Sequence, residues 1–179
     1  PFQSGSNKIL KAMNRGYTRE KYLELVAMIR RYVPEAAITT DIIVGFPGET
    51  EADFNDTLNL VKEVGFDAAF TFIYSKRSGT PAAAMEEQVP LEIKKARLNL
   101  LMEAQNISSL QRNEALVGKT LEVLAEGPSN NNNKVWSGRT RTNKLVLWPV
   151  EGCDFELGDK VQVQIETAQT WLLKGKAVE

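Results

Sequence analysis

The chain has 179 residues, 42% hydrophobic and 25% charged, with 22 Lys and Arg against 23 Asp and Glu. That composition describes a folded globular protein and excludes a disordered or fibrous one. The formal net charge of −1 excludes a global field for polyanions, so any such signal must be local.

The first two-thirds alternate helix and strand. Ser6 can cap a short helix through Ile9, Leu10 and Met13 that Gly16 ends. Thr18 starts a second helix with Tyr22, Leu25, Val26, Ile29 and Val33 at three-to-four spacing, stopped by Pro34. Ala37 to Phe46 is a short β-branched run bounded by Gly and Pro, the pattern of a buried strand. Thr50 and Asp53 have capping-box spacing for a helix with Phe54, Leu58, Val61 and Val64 on one face, closed by Gly65. Ala68 to Ser75 is the next strand. Repeated strand–helix units of this kind predict a parallel sheet with helical crossovers, an α/β fold.

A Gly/Pro/Ala-rich loop at Ser78–Ala84 precedes a long helix, roughly Leu91 to Ala115, whose apolar face includes Ile93, Leu98, Leu101 and Ile107. Past Gly118 the pattern changes to five short strands, at Thr120–Ala125, Val135–Ser137, Lys144–Trp148, Lys160–Ile165 and Leu172–Val178. Five short strands separated by turn residues predict a small barrel of the oligonucleotide-binding kind. Two domains are expected, 1–117 and 118–179, and Asn130–Asn133 is expected to be a solvated hairpin tip. Charge does not distinguish the halves: residues 1–117 carry 14 basic and 15 acidic groups, and residues 118–179 carry 8 of each.

The most specific stretch is Thr40 to Thr50, TDIIVGFPGET, where a strand delivers Gly45 and Gly48 to a turn opening on a capped helix. Such glycines let a ligand approach the backbone, at the strand ends where α/β sheets bind ligands. They equally serve connection geometry alone. Gln3-Ser4-Gly5-Ser6 repeats the logic at the preceding strand end, where capping explains it as well. Arg15 follows, placed to meet a carboxylate or phosphate, or simply solvated. Lys76 and Arg77 put two cations at the end of the next strand, which suits RNA or a solvated turn.

In the barrel, Pro128 to Val150 holds Lys134, Arg139, Arg141 and Lys144 without one acid, flanked by Trp136 and Trp148. Cations interleaved with aromatics are what phosphate contact and base stacking require. RNA contact is expected for Arg139, Arg141 and Lys144, with core packing for at least one Trp.

Absences narrow the chemistry. The chain has no His and a single Cys, Cys153, so it holds neither a His base nor the three or four thiolates of an iron–sulfur cluster. One Cys also excludes an intramolecular disulfide, consistent with a reducing, cytoplasmic compartment. No apolar run nears the roughly 20 residues that span a bilayer, and Pro1–Ser6 lacks the pattern of a signal peptide. The chain opens without Met inside a strand-to-helix turn, which is expected of an excised piece.

Read together, PFQSGSNKILKAMNRGYT, TTDIIVGFPGETEADF, FTFIYSKRSGTPAA and SGRTRTNKLVLW resemble, in order, the MiaB family of radical S-adenosylmethionine (SAM) tRNA methylthiotransferases. The resemblance implies the C-terminal part of a radical-SAM, partial TIM-like barrel followed by an OB-like TRAM domain. It implies SAM and two 4Fe–4S clusters in the whole enzyme, with none ligated here, because the N-terminal domain and the CxxxCxxC loop are absent. The implied reaction inserts a methylthio group at C2 of N6-isopentenyladenosine in the tRNA anticodon stem-loop. By the same resemblance Gln3, Ser4, Gly5 and Arg15 lie near SAM, and Asp41, Gly45 and Glu49 face its adenosyl end. Methylthiotransferases acting on threonylcarbamoyladenosine share QSGS and VGFPGET and are the alternative; the ribosomal-protein enzymes usually carry Gln-His in place of Gln-Ser-Gly. The isolated chain is expected to lack turnover, to keep weak salt-dependent tRNA affinity, and to expose a strand edge that invites self-association or pairing in a crystal; the missing N-terminal part of the enzyme is an expected partner.

Overall fold

The computed structural model describes residues 1–129, 132–150 and 155–178. The chain divides into two compact units, Pro1–Ser108 and Ser109–Glu179. Cys153 and the first two residues of the Asn130–Asn133 run lie outside the described residues.

In the first unit, α1 (Asn7–Ala12) starts at a Ser6 cap whose hydroxyl accepts the Ile9 N–H. It ends earlier than Gly16, at Met13, because Asn14 takes the left-handed conformation (φ 57°) and turns the chain. Thr18 caps α2 (Arg19–Tyr32), on which Val26 is buried while Leu25, and Val33 at its C-cap, both expected on the inner face, are exposed. β1 (Thr39–Val44) leads into α3 (Glu51–Val64), whose capping box is complete: Thr50 accepts the Asp53 N–H, and Asp53 accepts the Thr50 N–H. This reciprocal cap satisfies two of the helix's orphan donors. β2 (Ala68–Ile73) pairs parallel to β1 from Thr39↔Ala68 to Val44↔Ile73. A single bridge, Gln3↔Ile42, lays the N-terminal segment parallel to the other edge of β1.

The alternation along β1 sorts its faces. Thr40, Ile42 and Val44 are buried, and Ile42 and Val44 join the core of Phe2, Phe54, Leu60, Val61 and Phe66. Asp41 and Ile43 point the other way, on the open face where Phe70 and Phe72 of β2 are exposed.

The loop expected at Ser78–Ala84 contains a four-residue helix, α4 (Pro81–Ala84), and α5 (Leu91–Glu114) follows. Its buried stripe is not the one its apolar residues mark. Leu101 is buried, but Ile93 and Ile107 are 44% and 60% exposed, while Lys94, Arg97, Gln105 and Ser108 are buried. No helix among the described residues is long and apolar enough to cross a membrane.

The second unit begins with the last turns of α5 and closes β3 (Thr120–Ser129), β4 (Asn132–Thr140), β5 (Leu145–Pro149), β6 (Lys160–Ala168) and β7 (Leu173–Val178) into a barrel ordered β3-β4-β5-β7-β6. Period-two alternation points Val123, Ala125, Trp136, Val146, Trp148, Val163 and Leu173 into one core. Closure needs strands to pass tightly where they bend. A Cβ at Gly138 would stand 2.3 Å from the Leu124 carbonyl oxygen, and one at Gly175 would stand 2.1 Å from that of Gln164. Both indoles expected to flank the cationic span are inside: Trp136 is 8% and Trp148 1% exposed. Neither is a stacking platform, because each side chain falls on the inward phase of its strand.

Candidate functional site

The C-terminal ends of the N-terminal segment, β1 and β2 open on a cleft of about 950 Å³. Gln3, Arg15, Asp41, Ile43, Phe46, Phe72, Tyr74 and Arg77 are among its lining residues. Four residues singled out in the sequence, Gln3, Arg15, Asp41 and Arg77, thus come together. Gln3 is held at φ 65°, an uncommon backbone for a residue with a side chain. Its Oε1 is buried and has no hydrogen-bond partner among the described residues. Lys76 is exposed beside Arg77.

Ser4, Gly5, Gly45 and Glu49 do not line the cleft; they build its walls. The Ser4 hydroxyl receives the Ser6 N–H, and Thr57 Oγ1 receives the Gly5 N–H at 2.8 Å. A Cβ on Gly5 would sit 2.4 Å from the Asp56 carbonyl oxygen, so glycine here lets the segment lie against α3. Ser6, Thr50 and Lys8 all bond the Asp53 carboxylate. Burial works to raise its pKa, but these donors win and hold it at about 2.

Glu49 is buried at the turn after β1. Its Oε1 accepts the Gly45 N–H at 2.8 Å and pairs with Arg97 Nη1 at 2.8 Å. Arg97 Nη1 also donates to the Glu49 carbonyl at 3.1 Å. Burial pushes the Glu49 carboxyl up, against the Gly45 and Arg97 contacts. Gly45, at φ 72°, leaves room for Lys94: a Cβ there would stand 2.4 Å from the Lys94 Cγ. Lys94 Nζ then donates to the Tyr74 carbonyl at 3.0 Å and lies 4.9 Å from that ring's centroid. Burial, and next Lys76, lowers the Lys94 pKa, with Glu49 opposing. Tyr74 meets Phe46 edge-on at 5.2 Å. One face of α5 therefore fastens both strand-end turns. Sequence reasoning missed Lys94 and Arg97, because isolated cations on a long helix look like a solvated face.

On the barrel, Arg139 Nη1 donates to the Asn143 carbonyl at 3.2 Å and its Nε lies 3.5 Å from Glu126. Lys144 Nζ donates to Asn113 Oδ1 at 2.9 Å. Arg141 is exposed on the turn between them. The exposed indole of this unit is Trp171, at 64%, which sequence reasoning also passed over. A lone Trp next to a strand looks like core unless the two-residue turn that lifts it out is recognised.

Residues 1–61 match the Radical SAM superfamily, and residues 114–178 match the TRAM domain. The chain thus joins a segment similar to the Radical SAM superfamily to one similar to the TRAM domain. The chain is 60% identical, over all of its 179 residues, to 40% of the tRNA-2-methylthio-N(6)-dimethylallyladenosine synthase of Moorella thermoacetica. Proteins of the same name from Acetivibrio thermocellus and Desulfitobacterium hafniense are each 54% identical, over 99% and 98% of the chain and 37% and 39% of their own lengths. The chain thus spans about 40% of the length of the relatives it matches. Among the described residues no group of three His, Cys, Asp or Glu side chains could hold a metal ion.

Proposed function

We propose that this chain is the C-terminal part of a cytoplasmic radical-SAM methylthiotransferase that modifies C2 of N6-dimethylallyladenosine in the anticodon stem-loop of tRNA. The observation that carries the reading is the alignment of the whole chain, radical-SAM segment and TRAM domain together, at 60% identity with a synthase of that name.

The cleft suits the cofactor. SAM presents a carboxylate, an ammonium and an adenosine. Arg15 and Arg77 are cations for the carboxylate, the Asp41 carboxylate is an acceptor for an ammonium or ribose hydroxyls, and Phe46, Phe72 and Tyr74 are apolar surface for the base. Gln3 Oε1 is a buried acceptor without a donor among the described residues. When bound, SAM supplies the transferred methyl group and the oxidising power of the reaction. The residues of this chain bind and orient: Gln3, Arg15 and Asp41 contact the ligand, and Ser4, Gly5, Gly45 and Glu49 hold the strand ends that present them. Two 4Fe–4S clusters belong to the remainder of the enzyme.

The test is nucleoside analysis by mass spectrometry. tRNA from cells lacking the full-length protein should contain N6-dimethylallyladenosine and no 2-methylthio derivative, and the full-length gene should restore it. Asp41→Asn in that gene should restore less than about a tenth of the wild-type level, as expected when a charged ligand contact is lost. Loss of a methylthio group from threonylcarbamoyladenosine instead would overturn the substrate; no change in either nucleoside would overturn the function.

A further inference from the structure

At one end of the barrel two turns are tied to a single side chain. Asn113 is buried; its Nδ2 donates to the carbonyls of Gln169 (2.8 Å) and Thr170 (3.1 Å), and its Oδ1 accepts from Lys144. The β6–β7 turn is closed by the Gln169 N–H on the Leu172 carbonyl at 2.8 Å, leaving Thr170 and Trp171 as its tip. The parallel pairing Val146↔Leu173 sets the start of β7 beside the start of β5, so the tip and the Arg141–Lys144 turn share the rim. Trp171 is 64% exposed, and apart from half-buried Leu172 its neighbours on these turns are polar or cationic. An isolated indole among such groups does not make a contiguous apolar docking patch. It has the make-up of a platform for a flat, wet, negatively tethered ring: a nucleobase with its phosphate.

We propose that this rim is a stacking site for one unpaired RNA base, with Trp171 as the platform, exposed Arg141 as the phosphate cation, and Asn113 as the positioning residue that holds both turns. The inference rests on the tRNA reading above and assigns it a stacking contact, Trp171, that lies outside the span from Pro128 to Val150. Lys174, exposed where β7 leaves the turn, continues the cationic edge.

The experiment measures binding of the full chain to a fluorescein-labelled single-stranded oligouridylate and to a duplex by anisotropy across a salt series. Trp171→Ala should weaken the single strand by about 10-fold, with the slope of affinity against salt unchanged. Trp171→Phe should recover most of that, because a phenyl ring still stacks. Arg141→Ala should lower the salt slope by about 0.7, one phosphate contact. Unchanged melting temperatures for these exposed positions separate contact from folding. Single-strand affinity unaffected by Trp171→Ala overturns the proposal and marks the rim as a surface for something other than RNA; equal losses in Trp171→Ala and Trp171→Phe overturn stacking. The nucleoside assay is independent of this one: absence of the methylthio product beside a Trp171-dependent affinity sinks the substrate and leaves the rim.

Discussion

The barrel hides Val123, Val146, Trp148, Val163, Ile165 and Leu173 in an apolar core whose shape is set by strand register and two close-passing glycines. The α/β unit has an apolar core of its own, but beside it buries Glu49, Asp53, Lys94, Arg97 and Gln105. In the barrel the chain closes on itself, and every strand finds a neighbour on both sides. In the α/β unit β2 is paired on one edge alone among the described residues, and ion pairs and side-chain caps fix the turns. Polar residues at a cleft-facing strand end thus divide into those that meet the cleft and those consumed in holding it open.

The largest effect should come from the buried ion pair. Arg97→Met strands the Glu49 carboxylate and should destabilise the chain by about 3–5 kcal/mol in urea titrations. Adding Glu49→Gln should return most of it, because the uncharged amide has no charge left uncompensated. A single-variant cost below about 1 kcal/mol would show that the polar fastening is decorative and would erase the contrast with the barrel. Next, Gly175→Ala should cost about 3 kcal/mol by forcing β6 and β7 apart. If it melts like wild type, closure does not depend on the approach of those backbones.

A smaller effect carries a pH signature. Asp53 has a native pKa of about 2 against an ordinary 3.8. The native state therefore favours its carboxylate, adding about 2 kcal/mol that is fully present above pH 3.8 and lost as pH falls through 2. Asp53→Asn should lower stability at pH 7 by about that amount and flatten the acid limb of the stability curve. An acid limb identical to wild type would move the titration elsewhere.

Much of this architecture is legible in the residues. Thr18, Thr50 with Asp53, and Gly65 mark helix ends by cap chemistry that acts locally, and five strands with turn residues between them announce the barrel. The stripe of α5 is not legible, because its inner face is chosen by partners on other elements: Lys94 and Arg97 go in while Ile93 and Ile107 stay out. Likewise Gln3, Arg15 and Asp41 meet at the cleft, whereas Gly45 and Glu49 from equally suggestive motifs turn inward toward that helix. Trp136 and Trp148 were separated from Trp171 by strand phase, which a cluster of cations around them obscures.

Asn113 sets a limit on transplanting the barrel. Cut at Gly118, where strand-rich sequence begins, a grafted module would retain all five strands of the described barrel and the fully buried residues of its core, losing only Leu116 from those packed against it. It would arrive without the side chain that ties Lys144 to the Thr170–Trp171 tip. Such a graft should fold and yet present a loosened binding edge. A portable version has to start no later than Ser109, carrying the end of α5 as a handle.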